Sequence, residues 1–279
     1  MSDDPNAVQR EYWNTRTAWI DHQDDMDRQL DGFGRLGIAA LGDISGRRVL
    51  DVGCGCGHTS LQLAVAVGAT GNVVGLDISV PMTGVGTRRA AGAGFGRLRF
   101  VAADAQTDDL GGPYDAVFSR FGVMFFADPV TAFGNIRSAV VTGAPLSFVC
   151  WQPVSENPWM TTANRAAMAI VDFAPRGVGA ADPFAFGDPE QVRTILGDAG
   201  WADVEIVPHV TDIAIGGGGT VDEAVELMIE LGPAKAALEG QAATKCDEVR
   251  AAMRAALAPH HHGGAVWLSG ATWLVSARA

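Results

Sequence analysis

Residues 49–60 read VLDVGCGCGHTS, a short apolar run carrying a carboxylate, then three glycines at alternate positions, then two hydroxyl side chains. A turn from a strand into a helix exposes backbone N–H groups and a positive helix terminus, so it attracts anions and polar ligand atoms. Glycines at 53, 55 and 57 let a ligand approach the main chain with no Cβ in the way. The spacing also excludes. The dinucleotide fingerprint requires its third glycine where His58 stands, and no Gly-Lys-Ser/Thr of a phosphate-binding loop follows. Asp77 ends the next apolar run, about 20 residues past the loop, where a carboxylate can accept both ribose hydroxyls of a nucleoside.

Proton transfer near neutral pH would call for a histidine. His22 follows Trp19 by about one turn and is the candidate base, His58 reads as the start of the helix after the loop, and His260–His262 reads as a solvated loop. Cys54 and Cys56 are too close for the usual zinc spacing, so no metal is expected. With Cys150 and Cys246 they read as reduced thiols rather than a disulfide framework. Tyr12, Trp13 and Trp19 are candidates to close over a ligand, against the plainer reading that aromatics at helical spacing pack a core. Phe125, Phe126, Trp151, Trp159 and Met160 fall beside the ends of the fourth and fifth strands and are candidates for an acceptor pocket or for packing a lid.

Positioning these groups requires a frame. Apolar residues at helical spacing predict helix over roughly 8–42, broken into pieces by Gly32, Gly34 and Gly37. From residue 47, short apolar runs alternate with helical segments. Strands without polar alternation, joined by helical crossovers, predict a mostly parallel sheet with five strands by residue 151. Asp128-Pro129 and Asp188-Pro189 read as helix starts. Beyond them the expectations are a helix over 158–173, a Pro/Gly-rich loop over 174–187, a helix near 189–199, and a strand over 203–215. A flexible joint at Gly216–Gly219, a capping box at Thr220–Glu223 and interrupted helix to about 258 follow, before a last strand. The division expected is an N-terminal helical cap (1–45), an α/β core (46–152), a lid insertion (153–187) and a C-terminal part (188–279) with a helical insertion at about 220–262.

A net charge of −12, with no cluster of Lys and Arg, disfavours nucleic acid, which binds through concentrated basic surface. No apolar run approaches the roughly 20 residues of a membrane span, and the start lacks a secretory pattern, so a cytoplasmic protein is expected. A small molecule is the expected partner, and a homodimer is compatible with the sequence.

G-x-G-x-G after a strand carrying Asp51 resembles motif I of the class I S-adenosylmethionine-dependent methyltransferases. The resemblance continues through Asp77, through Asp104-Ala105, and through SRFGVMFF at 119–126. With FVCW and ENPWM it looks most like the small-molecule branch typified by ubiquinone and menaquinone biosynthesis. It implies a Rossmann-like α/β fold, a seven-stranded, mostly parallel sheet with an antiparallel C-terminal pair and a helical lid. The implied cofactor is S-adenosyl-L-methionine. Asp51 would orient the loop or reach the methionine amino group, Gly53, Gly55 and Gly57 would allow close contact, and Asp77 would take the ribose. Ile78 and Met82 would flank the adenine, Asp104 and the Ala105 N–H would meet its edge, and Ser119 and Arg120 would line the methionine end. The implied activity is methyl transfer to O or C of a small acceptor. A non-catalytic S-adenosylmethionine-binding sensor or scaffold is the alternative, and a nucleotide-dependent oxidoreductase is disfavoured by His58.

Overall fold

The computed structural model describes residues 4–175 and 181–279. Helices α1 (Ala7–Thr15), α2 (Ala18–Asp21) and α3 (Gln23–Ala40) precede β1 (Arg48–Val52). There follow α4 (His58–Val67), β2 (Asn72–Asp77), α5 (Val80–Gly92), β3 (Leu98–Ala102), β4 (Ala116–Arg120), α6 (Pro129–Ser138) and β5 (Pro145–Trp151). The remainder comprises α7 (Pro158–Met168), α8 (Pro189–Asp198), β6 (Ala202–Ala214), α9 (Val221–Leu231), α10 (Ala234–Leu238), α11 (Ala243–Leu257), β7 (His261–His262) and β8 (Ala265–Arg278).

The strands run β3-β2-β1-β4-β5-β8-β6 across the sheet. The first five are parallel, and β8 is antiparallel to both β5 and β6. Val49 and Leu50 of β1 are fully buried, as the unbroken apolar run requires of a strand covered on both faces. The chain runs outward from β1 through β2 to β3 and then crosses back to β4 on the other side of β1, so a crevice opens at the carboxyl end of β1. The described residues hold eight strands rather than the expected seven. The addition is β7, where His261 and His262 turn back through Gly263-Gly264 to pair with Val266 and Ala265. Part of the histidine triplet is thus a hairpin arm instead of a loop.

Two expectations about glycine fail for the same reason. Helix α3 runs unbroken through Gly32, Gly34 and Gly37, and the interruptions fall earlier, at 16–17 and at 22. A Cβ on Gly34 would lie 2.7 Å from Gln62 Oε1, and one on Gly37 would lie 2.7 Å from the Phe118 ring. These glycines let α3 press onto α4 and β4, and tertiary packing outweighs their weak intrinsic penalty. Gly216–Gly219 is no loose joint either. Gly216 N–H donates to Gln29 Oε1 at 2.7 Å and Gly219 N–H to Gly264 O at 2.8 Å, which pins the turn to α3 and to the β7–β8 hairpin.

Helix starts follow their caps. The Asp128 carboxylate accepts from Thr131 N–H, that of Asp188 from Glu190 N–H, and Thr220 and Glu223 form the reciprocal box. Helix α7 stops at Met168, short of the expected 173, and the 174–187 loop lies in part outside the described residues, at 176–180. Helices α7, α9, α10 and α11 share their own apolar core, which includes Ala163, Ala167, Val225, Val249, Met253 and Leu257. Segments 153–187 and 220–262, far apart in sequence, therefore contribute to one helical body seated on the end of β8.

Candidate functional site

The loop from Gly53 to Gly57 sits in the crevice at the end of β1. A Cβ on Gly53 would lie 2.5 Å from Gly122 Cα, so the loops after β1 and β4 cross in backbone contact. Phe121, the residue before that crossing, holds φ 59°, which a side chain-bearing residue seldom adopts. Its ring is stacked 4.2 Å from Trp151 at an interplanar angle of 6°, and its N–H donates to Val149 O. Gly55, also at positive φ (53°), faces nothing within 4 Å. There alone in the loop, bare peptide meets open space.

Two carboxylates flank this opening. Asp51 is fully buried; Thr59 and Ser60, the hydroxyls that follow the glycines, both donate to its Oδ2, at 2.8 and 2.6 Å. Its Oδ1 has no hydrogen-bond partner among the described residues. Burial pushes Asp51 up to about 6, against the pull of those hydroxyls and of Arg120. Asp77 Oδ2 accepts from Gly55 N–H and Oδ1 from Ser79 N–H, both at 2.8 Å. Burial raises its pKa too, against those two N–H bonds. Each oxygen of Asp77 keeps a further lone pair, enough for two hydroxyl donors. Burial and the two nearby carboxylates raise the Cys54 thiol well above its ordinary range, and Cys56 is pushed up to about 12 chiefly by burial. Both are neutral thiols.

Helix α1 lies across the far end of the crevice. Asn6 Nδ2 donates to Asp104 Oδ2 at 2.8 Å while Ala127 N–H donates to Asn6 Oδ1 at 3.1 Å. Arg10 approaches the same carboxylate at 3.6 Å, and Asp104 Oδ1 takes the Gln106 N–H. At the other end of α1, Ser79 Oγ donates to Trp13 O and Val80 N–H to Asn14 Oδ1. Met82 and Ala105 are buried, and Ile78 is half-buried. Asn6 and Arg10 were not legible as site residues. An Asn before a helix reads as a cap, yet Asn6 makes no side-chain cap bond and directs its amide across the chain instead.

Behind the loop, Arg89 donates to Cys56 O at 2.9 Å and pairs with Asp27 at 2.6 Å. His58, at the start of α4 as expected, lies 3.2 Å from Asp27 and 3.0 Å from Asp31. Burial works to raise Asp27, but His58 and Arg89 hold it below the usual carboxylate range. Arg120 turns beneath α3 and donates to Leu30 O at 3.2 Å, and Ser119 Oγ accepts from Gly122 N–H at 3.3 Å. These residues brace the crossing from below.

Aromatic rings cover the mouth. Trp13 meets Tyr12, Trp19 and Phe125 edge-on at 5.0, 5.9 and 5.0 Å. Trp151 is 4% exposed, between Phe121 and Trp159. Phe126 turns inward against Phe133, and Met160 lies on α7. His22 caps the end of α2 with Nδ1 3.2 Å from Asp25.

The residues fit a nucleoside joined to an amino acid: an unpartnered buried acceptor for an ammonium, a carboxylate with room for two hydroxyls, and an open backbone position between them.

Residues 49–143 match the family described as a methyltransferase domain. The chain is 30% identical over 135 residues to aklanonic acid methyltransferase of Streptomyces sp. (strain C5), covering 44% of this chain and 61% of that protein. It is 30% identical over 166 residues to nocamycin O-methyltransferase of Saccharothrix syringae, covering 56% and 59%. To demethylmenaquinone methyltransferase of Renibacterium salmoninarum it is 28% identical over 180 residues, covering 61% and 73%. The chain thus spans about three-fifths of the length of the first two relatives. Among solved structures, the YcgJ protein of Bacillus subtilis aligns with a TM-score of 0.59 at 15% identity, covering 89% of this chain and 98% of that one. A putative methyltransferase of Bacillus halodurans aligns at 0.55 and 14%, covering 88% and 98%. These two share the fold. The match to the methyltransferase-domain family thus spans residues 49–143, from β1 through the glycine loop to the turn before β5.

Proposed function

We propose that this protein transfers a methyl group from S-adenosyl-L-methionine to oxygen or carbon of a small, flat acceptor. The observation that carries the reading is the crossing of the two loops at Gly53 and Gly122, which leaves Gly55 open between an unpartnered Asp51 oxygen and the Asp77 carboxylate. Bound there, the cofactor supplies an electrophilic methyl group on a positively charged sulfur. Asp51 would receive the ammonium of the methionine part and Asp77 the ribose hydroxyls, while Gly53, Gly55 and Gly57 keep side chains out of the way. Ile78, Met82, Asp104 and Ala105 would enclose the adenine beneath α1, and Ser119 and Arg120 would hold the methionine end through the loop crossing.

In-line displacement needs the nucleophile, methyl carbon and sulfur aligned and kept from water. The ring cluster of Tyr12, Trp13, Trp19 and Phe125 supplies that dry cover, with Trp151 as its floor. His22 stands on the same cap as the candidate base for a hydroxyl acceptor. The relatives' printed names, which include an aklanonic acid, a nocamycin and a demethylmenaquinone methyltransferase, support a polyketide- or quinone-like acceptor and favour catalysis over a silent sensor.

Calorimetry with S-adenosylhomocysteine, followed by mass-spectrometric assay of methyl transfer to a panel of quinols, phenols and polyketides, tests the reading. Tight binding with turnover is expected. Binding without turnover across the panel would favour the sensor, and no binding at all would remove both.

A further inference from the structure

Two buried polar atoms of the N-terminal helices have no partner among the described residues: the indole N–H of Trp19 and Oε1 of Gln23. Indole has a single polar atom, a donor, so an unpaired Nε1 leaves Trp19 wholly unsatisfied. Native proteins hold few such groups, and each calls for an explanation. Other unpaired oxygens have partial ones. Gln62 spends its amide nitrogen on Asp31, and its Oε1 lies against Gly34; Asn164 spends its amide nitrogen on Met160 O.

Trp19 and Gln23 stand four residues apart across the α2–α3 junction, a spacing that puts two side chains on one helical face. Two hydrogen bonds bridge the interruption at His22, from His22 N–H to Ala18 O and from Met26 N–H to His22 O. Trp19 lies on the crevice side. Trp19 touches Trp13, which touches Phe125, three residues beyond the Gly122 that crosses the glycine loop. Helix α2 also packs against α9.

We propose that Trp19 Nε1 and Gln23 Oε1 are the polar subsite for the methyl acceptor, and that the acceptor is therefore a planar aromatic carrying both a carbonyl and a hydroxyl group. Trp19 donates to the carbonyl oxygen, Gln23 accepts from the hydroxyl, and the rings of Trp13 and Phe125 lie against the apolar faces. The inference rests on the methyltransferase reading above and fixes the functional groups of the acceptor that reading leaves open.

Three probes separate the two contacts: 6-acetyl-2-naphthol, 2-acetylnaphthalene and 2-naphthol, titrated calorimetrically into the full chain with and without S-adenosylhomocysteine. Wild type should bind 6-acetyl-2-naphthol most tightly. Trp19→Phe keeps a ring and removes the donor, so it should weaken both ketones about ten-fold and leave 2-naphthol within about two-fold. Gln23→Met keeps the length and removes the amide, so it should weaken both naphthols about ten-fold and spare 2-acetylnaphthalene. Equal effects of a variant on all three probes, no effect of either, or no binding of any probe to wild type would overturn the proposal. If one variant fails to fold, the other and the wild-type ranking decide. Failure of S-adenosylhomocysteine to bind wild type strikes the methyltransferase reading instead, and the titrations without it keep the two failures apart.

Discussion

Two glycine-rich turns of the described residues, Gly53–Gly57 and Gly216–Gly219, make a comparison, and in both the glycines sit at positive φ. Both follow a strand and lead into a helix. Their surroundings differ. At the second, Glu223 closes a capping box with Thr220, and the N–H and hydroxyl bonds from Thr220 hold its carboxylate below the usual range. At the first, Asp51 is pushed up to about 6 by burial, and one of its oxygens has no partner among the described residues. One turn is arranged for stability. The other carries a burial cost that an incoming ammonium would relieve. Glycine content alone therefore does not separate the two turns; the state of the adjoining carboxylate does.

The largest effect should come from the crossing itself. Gly53→Ala places a methyl group 2.5 Å from Gly122 Cα at φ 67°, so the two loops must separate and the parallel sheet loses its switch point. The variant is expected to lose well over 3 kcal/mol and to fold poorly, as read by thermal unfolding. Gly55→Ala meets no atom within 4 Å and bears only the φ penalty of about 1–2 kcal/mol. It should fold yet lose S-adenosylhomocysteine binding about a hundred-fold or more. Equal behaviour of the two variants would erase the distinction between a structural and a ligand-facing glycine.

Next in size is a pH effect. Asp51 binds its proton more tightly folded than unfolded, since its ordinary value is 3.8 and its folded value about 6. Stability from this group is therefore greatest below pH 4, falls as pH rises to about 6, and is flat above, a loss of about 3 kcal/mol. Urea unfolding should show wild type losing about that amount relative to Asp51→Asn between pH 4 and pH 7. Bound ligand bearing an ammonium should flatten the wild-type slope. A difference constant with pH would mean that Asp51 is not strained, and the contrast with Glu223 would fail.

Much of this arrangement was legible beforehand because it is local. Buried parallel strands write themselves as unbroken apolar runs, caps need only one side chain and the next turn, and the glycine loop is five consecutive residues. What escaped depends on distant partners. Gly34 and Gly37 weaken a helix in isolation, yet Gln62 and Phe118 supply the contacts that make bare backbone the better choice. Gly216–Gly219 gains its rigidity from Gln29 and Gly264, and Asn6 gains its role from Asp104, 98 residues away. Nor could spacing reveal that Trp19 and Gln23 keep unpaired polar atoms, because that is a property of their surroundings.

Asp77 sharpens the comparison at the level of binding. Asp77→Asn removes the charge while keeping the shape, and the amide can no longer accept from both Gly55 and Ser79. Affinity for S-adenosylhomocysteine should fall about 10- to 100-fold, the loss expected for charge-assisted hydrogen bonds to ribose. The melting temperature should drop by only about 2–4 °C. Unchanged affinity would refute the ribose contact.

The smallest effect belongs to the second turn. Thr220→Ala removes the cap hydroxyl, which accepts from Glu223 N–H and donates to Glu223 Oε2. The loss should be about 1 kcal/mol. Glu223 has its pKa lowered first by the Thr220 N–H and then by this hydroxyl, so the hydroxyl–carboxylate bond contributes above the ordinary value of 4.5 and is lost as pH falls below it. That is opposite in sign to the Asp51 profile. Affinity for S-adenosylhomocysteine should be unchanged, since Gly216 and Gly219 stay pinned to Gln29 and Gly264 whether or not the box is closed. A fall in affinity on Thr220→Ala would show instead that this capping turn and the Gly53–Gly57 loop are coupled through α3, and the two glycine turns would then belong to one device.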